Sequence, residues 1–269
     1  MNDTPSFGPI HTIEPQTNHT HTVVLLHGRG SSGLEFAEEF LTSQTSATIS
    51  LTEKFAGVKW IFPSSPMLWS TTFQESLPAW FEAVSLTDPT IREDLQIEGI
   101  RASVEHVRTI LEQEERRLNG DVHKLLLGGI SQGGAIGLWT ALAYPHNVSA
   151  FFAASTWLPL ASTINRVILD RDKARNNDES EAFVNKMIHI NENTLRPLGL
   201  LGHGTDDAVV DISLGREASD LLLALGYDAR WKEYSGASLE GHWFQEPNQM
   251  DDISRFIHAF VNEETIATD

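Results

Sequence analysis

The sequence predicts an α/β fold, in which a mainly parallel sheet is covered by helices on both faces. Short and almost continuous apolar runs alternate along the chain with longer segments whose apolar residues recur at steps of three and four. This alternation is typical of strand–helix–strand units, whose parallel strands are buried on both sides. With 269 residues, the chain is long enough for one such domain with a substantial core.

The apolar runs place six strands, and the helical patterns place the elements between them. Strands are expected at 22–26, 58–62, 122–127, 148–153, 198–201 and 229–234. Helices are expected at 34–41, 91–118, 132–144 and 213–225, and over 250–261 near the end of the chain. The charges of the longest of these helices predict a solvated face.

Three segments fall outside this alternation. Residues 1–20 are polar and are expected to form a tail or an edge segment, which leaves 21–265 as a single domain. Residues 67–86 carry many large apolar side chains without a regular period and are expected to form a loop. Residues 161–196 are charged and rich in Asn, and they predict a short insertion that is either mobile or a helical cap.

The composition excludes several classes of partner and chemistry. With 19 basic and 37 acidic residues the formal net charge is −18, which argues against nucleic acid as a partner and against attraction to anionic membranes. No apolar run reaches membrane-spanning length and the first residues lack a signal-peptide pattern, so we expect no integral membrane segment. The chain has no cysteine, which excludes disulfides and thiolate chemistry and suits the cytoplasm. We expect no metal site, because the early histidines follow no ligand spacing; these are His11, His19 and His21.

A Gly-x-Ser-x-Gly motif at residues 129–133 is the strongest indication of function. It follows an apolar strand and precedes a helical pattern, which is the context that a nucleophilic serine requires. A serine on such a sharp turn is strained, and the residues two positions away on either side must lack side chains because the two backbones nearly touch. Gly129 and Gly133 meet this demand, and we predict that Ser131 is the nucleophile.

A serine nucleophile needs a general base, and the base needs an acid that orients it. His242 lies in the loop after the last predicted strand, where the order of this kind of triad places the base. It is preferred to His203, which ends the preceding strand and is given a structural role. The acid is expected in the loop between His203 and His242. The motif spacing favours Asp207 as the acceptor of the His242 ring N–H and gives Asp206 a capping role in the loop.

A glycine-rich loop at residues 27–33 follows the first strand and admits two explanations. Gly28, Gly30 and Gly33 satisfy the G-x-G-x-x-G pattern of dinucleotide sites. However, no acidic residue ends the next predicted strand at the position that would bind the ribose, where Pro63 and Ser64 stand. We prefer the other explanation, a loop that turns backbone N–H groups toward the serine.

The oxyanion that forms when a serine attacks a carbonyl needs preorganised hydrogen-bond donors. We expect the backbone N–H of Gln132, at the start of the helix, and that of Arg29, in the glycine-rich loop, to form this oxyanion hole. This chemistry requires no cofactor, and none is expected.

Six motifs, in order along the chain, carry a resemblance to a known family: VVLLHGRGSSG, the Trp80-Phe81 pair, GGISQGGAIGLWTAL, STWLPL, HGTDDAVV and EGHW. Between about residue 21 and residue 261, the sequence resembles the acyl-protein thioesterase/carboxylesterase family, also called the phospholipase/carboxylesterase family. The resemblance implies an α/β-hydrolase fold and a serine hydrolase that forms an acyl-enzyme, with Ser131, Asp207 and His242 as the triad. Asp211, where the family often has Pro, and the longer 161–196 segment are departures from the family pattern.

The resemblance also implies the class of substrate, an acyl ester or thioester, S-acylated proteins included. A shallow apolar channel would hold the acyl chain, lined by Leu68, Trp69, Phe73, Trp80, Phe81, Trp157 and Leu158. Burial as core packing explains so many large apolar side chains equally well. Two other functions stay open: a carboxylesterase for small soluble esters, and a non-catalytic protein of the same fold that binds a ligand.

Overall fold

The computed structural model describes residues 5–85, 88–169, 178–188 and 196–262. In this part of the chain the strands are β1 (Ile10–Ile13), β2 (His21–Leu26), β3 (Val58–Pro63), β4 (Met67–Ser70), β5 (Glu75–Pro78), β6 (Leu125–Ile130), β7 (Ala150–Ala154), β8 (Leu198–Gly204) and β9 (Ala229–Tyr234). Seven of these strands form one sheet in the order β1-β3-β2-β6-β7-β8-β9. Every neighbouring pair in it is parallel except β1 with β3.

The helices lie on both faces of this sheet. Those of the described residues are α1 (Gly33–Thr42), α2 (Leu51–Lys54), α3 (Gln96–Arg117), α4 (Gln132–Ala143), α5 (Ala161–Ile164), α6 (Glu179–Met187), α7 (Ile212–Ala224) and α8 (Asn248–Val261). Alternate residues of β2 divide between two clusters: Val24 and Leu26 pack with α3, α4 and α7, whereas Val23 and Leu25 pack with α1 and α8. The predicted fold class is therefore confirmed. None of these helices combines the length and the apolar character needed to cross a membrane.

The central strand β6 is shifted from its predicted position. A turn of 3₁₀-helix covers Val122–Lys124, and the strand begins at Leu125 and continues through two glycines to Ile130. The apolar run that predicts a strand over 122–127 misses these glycines, although they are buried between neighbours. A Cβ on Gly128 would come within 2.6 Å of the Phe152 ring on β7, so the strand passes close to its neighbour there.

The loop expected over 67–86 is instead an antiparallel hairpin in its first part. Strand β4 pairs with β5, with Met67 opposite Pro78 and Trp69 opposite Ser76. The hairpin stands apart from the main sheet, so its large apolar residues follow no core-facing period that the sequence could reveal. Residues 86–87 lie outside the described residues.

The 161–196 segment contributes to the core in the parts that the structure describes. Helix α5 and helix α6 pack into the same cluster as α3 and α4 through buried side chains that include Ile164, Phe183 and Val184. The Phe183 ring lies 5.0 Å from the Trp139 ring of α4. The described parts therefore pack against the helices of one face, a burial that the weak amphipathic pattern does not indicate. The predicted mobile or cap-like character of 170–177 and 189–195 lies outside the described residues, and the domain bounds stay a prediction.

The solvated face predicted for α3 has one clear exception at its carboxyl end. The side chain of Glu114 is 2% exposed and lies 3.1 Å from the ammonium group of Lys59, which is also buried. The Thr22 hydroxyl donates a hydrogen bond to the same carboxylate, and Arg117 pairs with it from the next turn. Since Thr22 and Lys59 are the second residues of β2 and β3, this ion pair fastens α3 to the amino-terminal edge of the sheet.

We expect Glu114→Gln to lower the free energy of unfolding by about 3 kcal/mol, because the buried Lys59 ammonium then keeps only the exposed Glu14 carboxylate, 3.9 Å away. Urea denaturation would measure the change. The matched control is Glu98→Gln, which breaks an exposed pair with Arg101 on the same helix and should cost less than about 1 kcal/mol. Equal losses for the two variants would contradict the role assigned to the buried pair.

Candidate active site

Ser131 occupies the turn between β6 and α4 in a strained backbone conformation. Its φ of 55° and ψ of −127° lie in a region that residues other than glycine rarely adopt. The Ser131 N–H donates to the carbonyl of Ala154 at 3.0 Å, and its own carbonyl accepts from the Thr156 hydroxyl at 2.6 Å. The end of β7 therefore holds the turn from one side, at the carboxyl edge of the sheet.

Two glycines allow this turn, as the sequence predicts. A Cβ on Gly129 would lie 2.6 Å from the carbonyl carbon of Gly133, and one on Gly133 would lie 2.2 Å from the carbonyl oxygen of Leu26. Neither position has room for a side chain. The first turn of α4 thus rests directly on the backbone at the end of β2.

Asp207 and His242 form a hydrogen-bonded pair on the same edge of the sheet. The His242 Nδ1 lies 2.8 Å from Oδ2 of Asp207, while Oδ1 accepts from the N–H groups of Val209 and Val210, both at 2.9 Å. Burial disfavours the charged form of Asp207, but the hydrogen bonds from neighbouring histidines and from Val210 outweigh it and hold the pKa of this carboxyl well below its usual value. The carboxylate is therefore ionised at neutral pH and oriented toward the imidazole.

The neighbouring titratable groups have structural contacts. The Asp206 carboxylate accepts from the Gly236 N–H at 2.8 Å and so joins two loops, in line with its expected capping role. The buried His203 places Nε2 2.9 Å from the carbonyl oxygen of Val210 and 3.3 Å from Oδ2 of Asp207. The carbonyl oxygen can only accept, so Nε2 carries the proton and fixes the loop around the carboxylate. Within the described residues, no group of three or more His, Asp or Glu side chains could hold a metal ion.

The loop after β9 returns His242 toward the middle of the sheet. Gly241 has a positive φ of 82°, and a Cβ there would meet the backbone of Asp206 at 2.5 Å. On the other side of His242, the Trp243 ring packs edge-on against Phe36 of α1 at 6.0 Å. The described residues contain no hydrogen bond between Ser131 Oγ and the imidazole. Such contacts are often long in a free enzyme and shorten when substrate binds.

Two backbone N–H groups are free beside Ser131. In the part of the chain that the structure describes, the N–H of Arg29 and that of Gln132 donate to no other residue. Gly28, next to Arg29, lies against the serine, since a Cβ there would be 3.9 Å from Ser131 Oγ. These free donors come from the loop after β2 and from the first residue of α4, the two segments that the sequence indicates.

His27 is a residue of this site that the sequence analysis missed. Its Nε2 accepts from the Ser65 N–H at 3.0 Å, so Nδ1 carries the proton and donates to the Gly28 carbonyl at 2.6 Å. Burial lowers the pKa of His27 to about 4, against which the Gly28 carbonyl acts only weakly. A neutral imidazole therefore lies beneath the glycine-rich loop and fixes its first peptide. The sequence could have indicated this role, because His27 stands directly between the first strand and the glycines of the loop.

The seven predicted substrate residues separate into three groups. Trp69 and Phe73 are more than half exposed and Leu68 is partly buried, all on the hairpin of β4 and β5. Trp157 and Leu158 are almost fully buried and form part of the wall of a cleft, whose lining also includes Leu214 and the carboxylate residues Glu93 and Glu217. Trp80 and Phe81 are fully buried, and the Phe81 ring packs edge-on against Trp157. Burial in the core, rather than contact with substrate, therefore accounts for Trp80 and Phe81.

Comparison with known proteins places the chain among hydrolases. Residues 9–172 match the family described as phospholipase/carboxylesterase. The chain belongs to this family. The match confirms the family that the sequence motifs indicate and the expected enzyme class, a hydrolase with the α/β-hydrolase fold.

Similar proteins agree with the family membership. The chain is 28% identical over 246 residues to acyl-protein thioesterase 1 of Gibberella zeae, which covers 90% of this chain and 91% of the relative. Among solved structures it is similar to acyl-protein thioesterase 2 of Zea mays, with a TM-score of 0.69 and 27% identity over 94% of this chain and 99% of that one. A Bacillus cereus carboxylesterase shares the fold at 12% identity, with a TM-score of 0.61 and coverage of 96% of both chains.

We expect Gly133→Ala to abolish activity in this phospholipase/carboxylesterase family member, because the added methyl group would force α4 away from Leu26 and move the serine turn. The matched control is Gly137→Ala, one turn further along α4, where a Cβ would have an ordinary contact of 3.9 Å with Leu127. That variant should keep its activity and gain up to about 1 kcal/mol of stability from helix propensity. Ester hydrolysis and thermal unfolding of both variants would test the contrast, and an active Gly133→Ala would refute it.

Proposed function

We propose that this chain is a serine hydrolase that cleaves acyl esters or thioesters through an acyl-enzyme on Ser131. The bond from His242 Nδ1 to the buried Asp207 carboxylate carries the proposal. It leaves the other ring nitrogen to accept a proton at the edge of the sheet where the strained Ser131 turn lies. A binding protein that merely kept the fold would not need this combination, so we rank that alternative last.

The proposed reaction begins when Ser131 Oγ attacks the acyl carbonyl carbon and its proton passes to Nε2 of His242. The carbonyl π-bond breaks, and the electron pair moves onto the oxygen of a tetrahedral intermediate. Asp207 stabilises the imidazolium that forms and keeps its Nδ1 proton. When the intermediate collapses, the alcohol or thiol leaves with the proton that His242 returns. In the second half of the reaction, water attacks the acyl-enzyme and gives its proton to His242. Ser131 Oγ is then the leaving group, it takes the proton back from His242, and the acid is released.

The developing oxyanion would be bound by the free N–H groups of Arg29 and Gln132. Both are backbone groups on segments that other contacts hold, so they need no rearrangement during the reaction. The N-terminal position of Gln132 in α4 adds the favourable end of the helix dipole. Removing one donor from such a site typically costs roughly 10²- to 10³-fold in rate.

Two surfaces are candidates for contact with the acyl group, the exposed apolar side chains of the hairpin and a cleft of mixed polarity. We assign Leu68, Trp69 and Phe73 on the hairpin, together with Trp157 and Leu158 in the cleft, to contact with the acyl chain. Similarity to acyl-protein thioesterases favours long acyl chains and thioesters of S-acylated proteins as the substrates. A chain without cysteine supports the cytoplasm as its location. Trp80 and Phe81 are fully buried, and Trp157 and Leu158 expose only 1% and 3% of their surface, so the apolar wall is smaller than the sequence indicates. This keeps the small-ester carboxylesterase as the second candidate.

Between the two adjacent carboxylates, we expect Asp207→Asn to lower kcat/KM by about 10³- to 10⁴-fold, because an amide favours the wrong imidazole tautomer and cannot stabilise imidazolium. Asp206→Asn should have a much smaller effect, since that side chain contacts a loop backbone. Hydrolysis of p-nitrophenyl butyrate would measure both. The control is Ser131→Ala, which should no longer react with a fluorophosphonate probe. Labelling of Ser131→Ala at the rate of the parent would show that another residue is the nucleophile.

The pH dependence of kcat/KM should show an acid limb with a slope of one. Activity falls on acidification because protonated His242 cannot accept the serine proton. The depressed pKa of Asp207 keeps that carboxylate ionised, and the pKa of His27 of about 4 keeps its ring neutral, so neither group titrates alongside the base. Rates measured between about pH 5 and pH 8 would test this. A limb of slope two, or a flat profile, would contradict a single histidine base.

Specificity should rise with acyl chain length if the hairpin and the cleft bind the chain. Each methylene that they bury contributes up to about 0.8 kcal/mol, or up to about fourfold in kcat/KM. A series of p-nitrophenyl esters from acetyl to palmitoyl, beside matched thioesters, would measure the slope. Trp69→Ser should flatten it, whereas Leu223→Ser, which alters an exposed apolar residue of α7, should not. A preference for acetyl over octanoyl would put the small-ester function first.

A further inference from the structure

The side chain of Gln132 makes hydrogen bonds that have no role in the reaction steps proposed above. Its backbone N–H is one of the two free donors, but its side chain is fully buried and hydrogen-bonded to another segment. The side-chain Oε1 accepts from the Trp80 N–H at 3.1 Å, and Nε2 donates to the Phe81 carbonyl at 3.0 Å. The amide thus pairs with two backbone groups of the bend at residues 80–81.

Residues 78–83, called the strap here, also hold the loop that carries the other donor. The Pro78 carbonyl accepts from the Gly30 N–H at 2.8 Å, and the Ala83 carbonyl accepts from the Arg29 guanidinium at 3.1 Å. The indole N–H of Trp80 donates to the His27 carbonyl at 2.8 Å. The strap therefore has hydrogen bonds on both sides of Arg29.

Helix α3 supports the strap from behind. The Ser103 hydroxyl donates to the Trp80 carbonyl at 2.7 Å. Gly99 approaches so closely that a Cβ there would lie 2.6 Å from Cα of Phe81. A strap fixed in this way can act as a rigid reference for the segments bonded to it.

We propose that the side-chain amide of Gln132 is a positioning group, which fixes its own backbone N–H relative to that of Arg29 through the strap. The inference rests on the proposed function and deepens it. The two oxyanion donors belong to separate segments, and the strap is hydrogen-bonded to both of them. An oxyanion must meet both donors at about 3 Å, so a small relative shift weakens binding of the transition state more than binding of the substrate.

The chemistry of the amide explains why glutamine serves here. An amide offers a donor and an acceptor side by side, which matches the adjacent N–H and C=O of the strap. A carboxylate would accept from Trp80 but could not donate to Phe81, and a thioether would leave both backbone groups without a partner. Gln132→Met is therefore the informative change, because it keeps the length of the side chain and the backbone N–H.

The experiment compares Gln132→Met with Thr140→Val, a control on the same helix. The Thr140 hydroxyl is buried and donates to the Ile136 carbonyl at 2.8 Å, away from the strap. For each variant, kcat, KM and the thermal midpoint are measured, together with the affinity of an alkyl boronic acid. The boronic acid forms a tetrahedral adduct with a nucleophilic serine and places an oxygen where the oxyanion would lie.

We expect Gln132→Met to lower kcat by roughly tenfold to 100-fold with KM little changed, and to weaken boronic acid binding by the same factor as kcat/KM. Thr140→Val should lower the thermal midpoint while keeping kcat and boronic acid affinity. The proposal is overturned if boronic acid affinity is unchanged in Gln132→Met, or if Thr140→Val lowers kcat and boronic acid affinity to the same extent.

A second variant, for use if Gln132→Met does not fold, alters the contact between the strap and the glycine-rich loop. Trp80→Phe removes the hydrogen bond to the His27 carbonyl and leaves the Gln132 amide intact, so it should also lower kcat and boronic acid affinity together. In the double variant the losses should be less than multiplicative, because both changes release one unit. If the losses in kcat and boronic acid affinity multiply in the double variant, the two side chains act independently and not through one strap. If the parent protein fails to react with a fluorophosphonate, the proposed function itself has failed, which is a different result.

Discussion

The close approach of α4 to the end of β2 is the constraint on which the rest of the site depends. Where Gly133 meets the carbonyl of Leu26 there is no room for a side chain, and this contact sets where the helix begins. The chain must then turn within one residue from β6 into α4, and Ser131 takes the strained conformation that such a turn requires. Strain of this kind costs about 1–3 kcal/mol and persists only when the surroundings fix it. Here Ala154, the last residue of β7, and Thr156, just after it, fix the turn.

Two buried carboxylates show how differently the same group is used at the two edges of the sheet. Glu114, at the amino-terminal edge, pairs with Lys59 and Arg117, and its charge is balanced by cations that fasten a helix. Asp207, at the carboxyl edge, has backbone N–H groups and histidines as its neighbours. Hydrogen bonds from these neighbours keep it ionised, and no Lys or Arg side chain is paired with it among the described residues, so the charge stays available to a protonated imidazole.

Features with a local cause could be predicted from the sequence, and features that depend on distant contacts could not. The serine turn was predictable because the glycines that permit it lie two residues away on either side. The burial of Glu114 depends on Thr22 and Lys59, which are 92 and 55 positions away, and the α3 pattern carries no trace of them. The Gln132 amide likewise meets residues 51 and 52 positions earlier. Asp207 was separable from Asp206 only by motif spacing, because each carboxylate's partner lies on another loop.

The apolar stretch that begins at Met67 shows why composition alone could not divide packing from substrate contact. Its side chains are alike in the sequence, but the turn of the hairpin sends Trp69 and Phe73 outward and brings Trp80 and Phe81 back under α3. The strap follows directly from β5, so the exposed apolar surface and the support that we propose for the oxyanion donors are one continuous piece of chain. An acyl chain bound on the hairpin would therefore rest on the same segment that, in our proposal, positions the donors. Binding energy from a remote part of the substrate can reach the reacting carbonyl by this route, which is the use of binding energy that raises kcat rather than affinity alone.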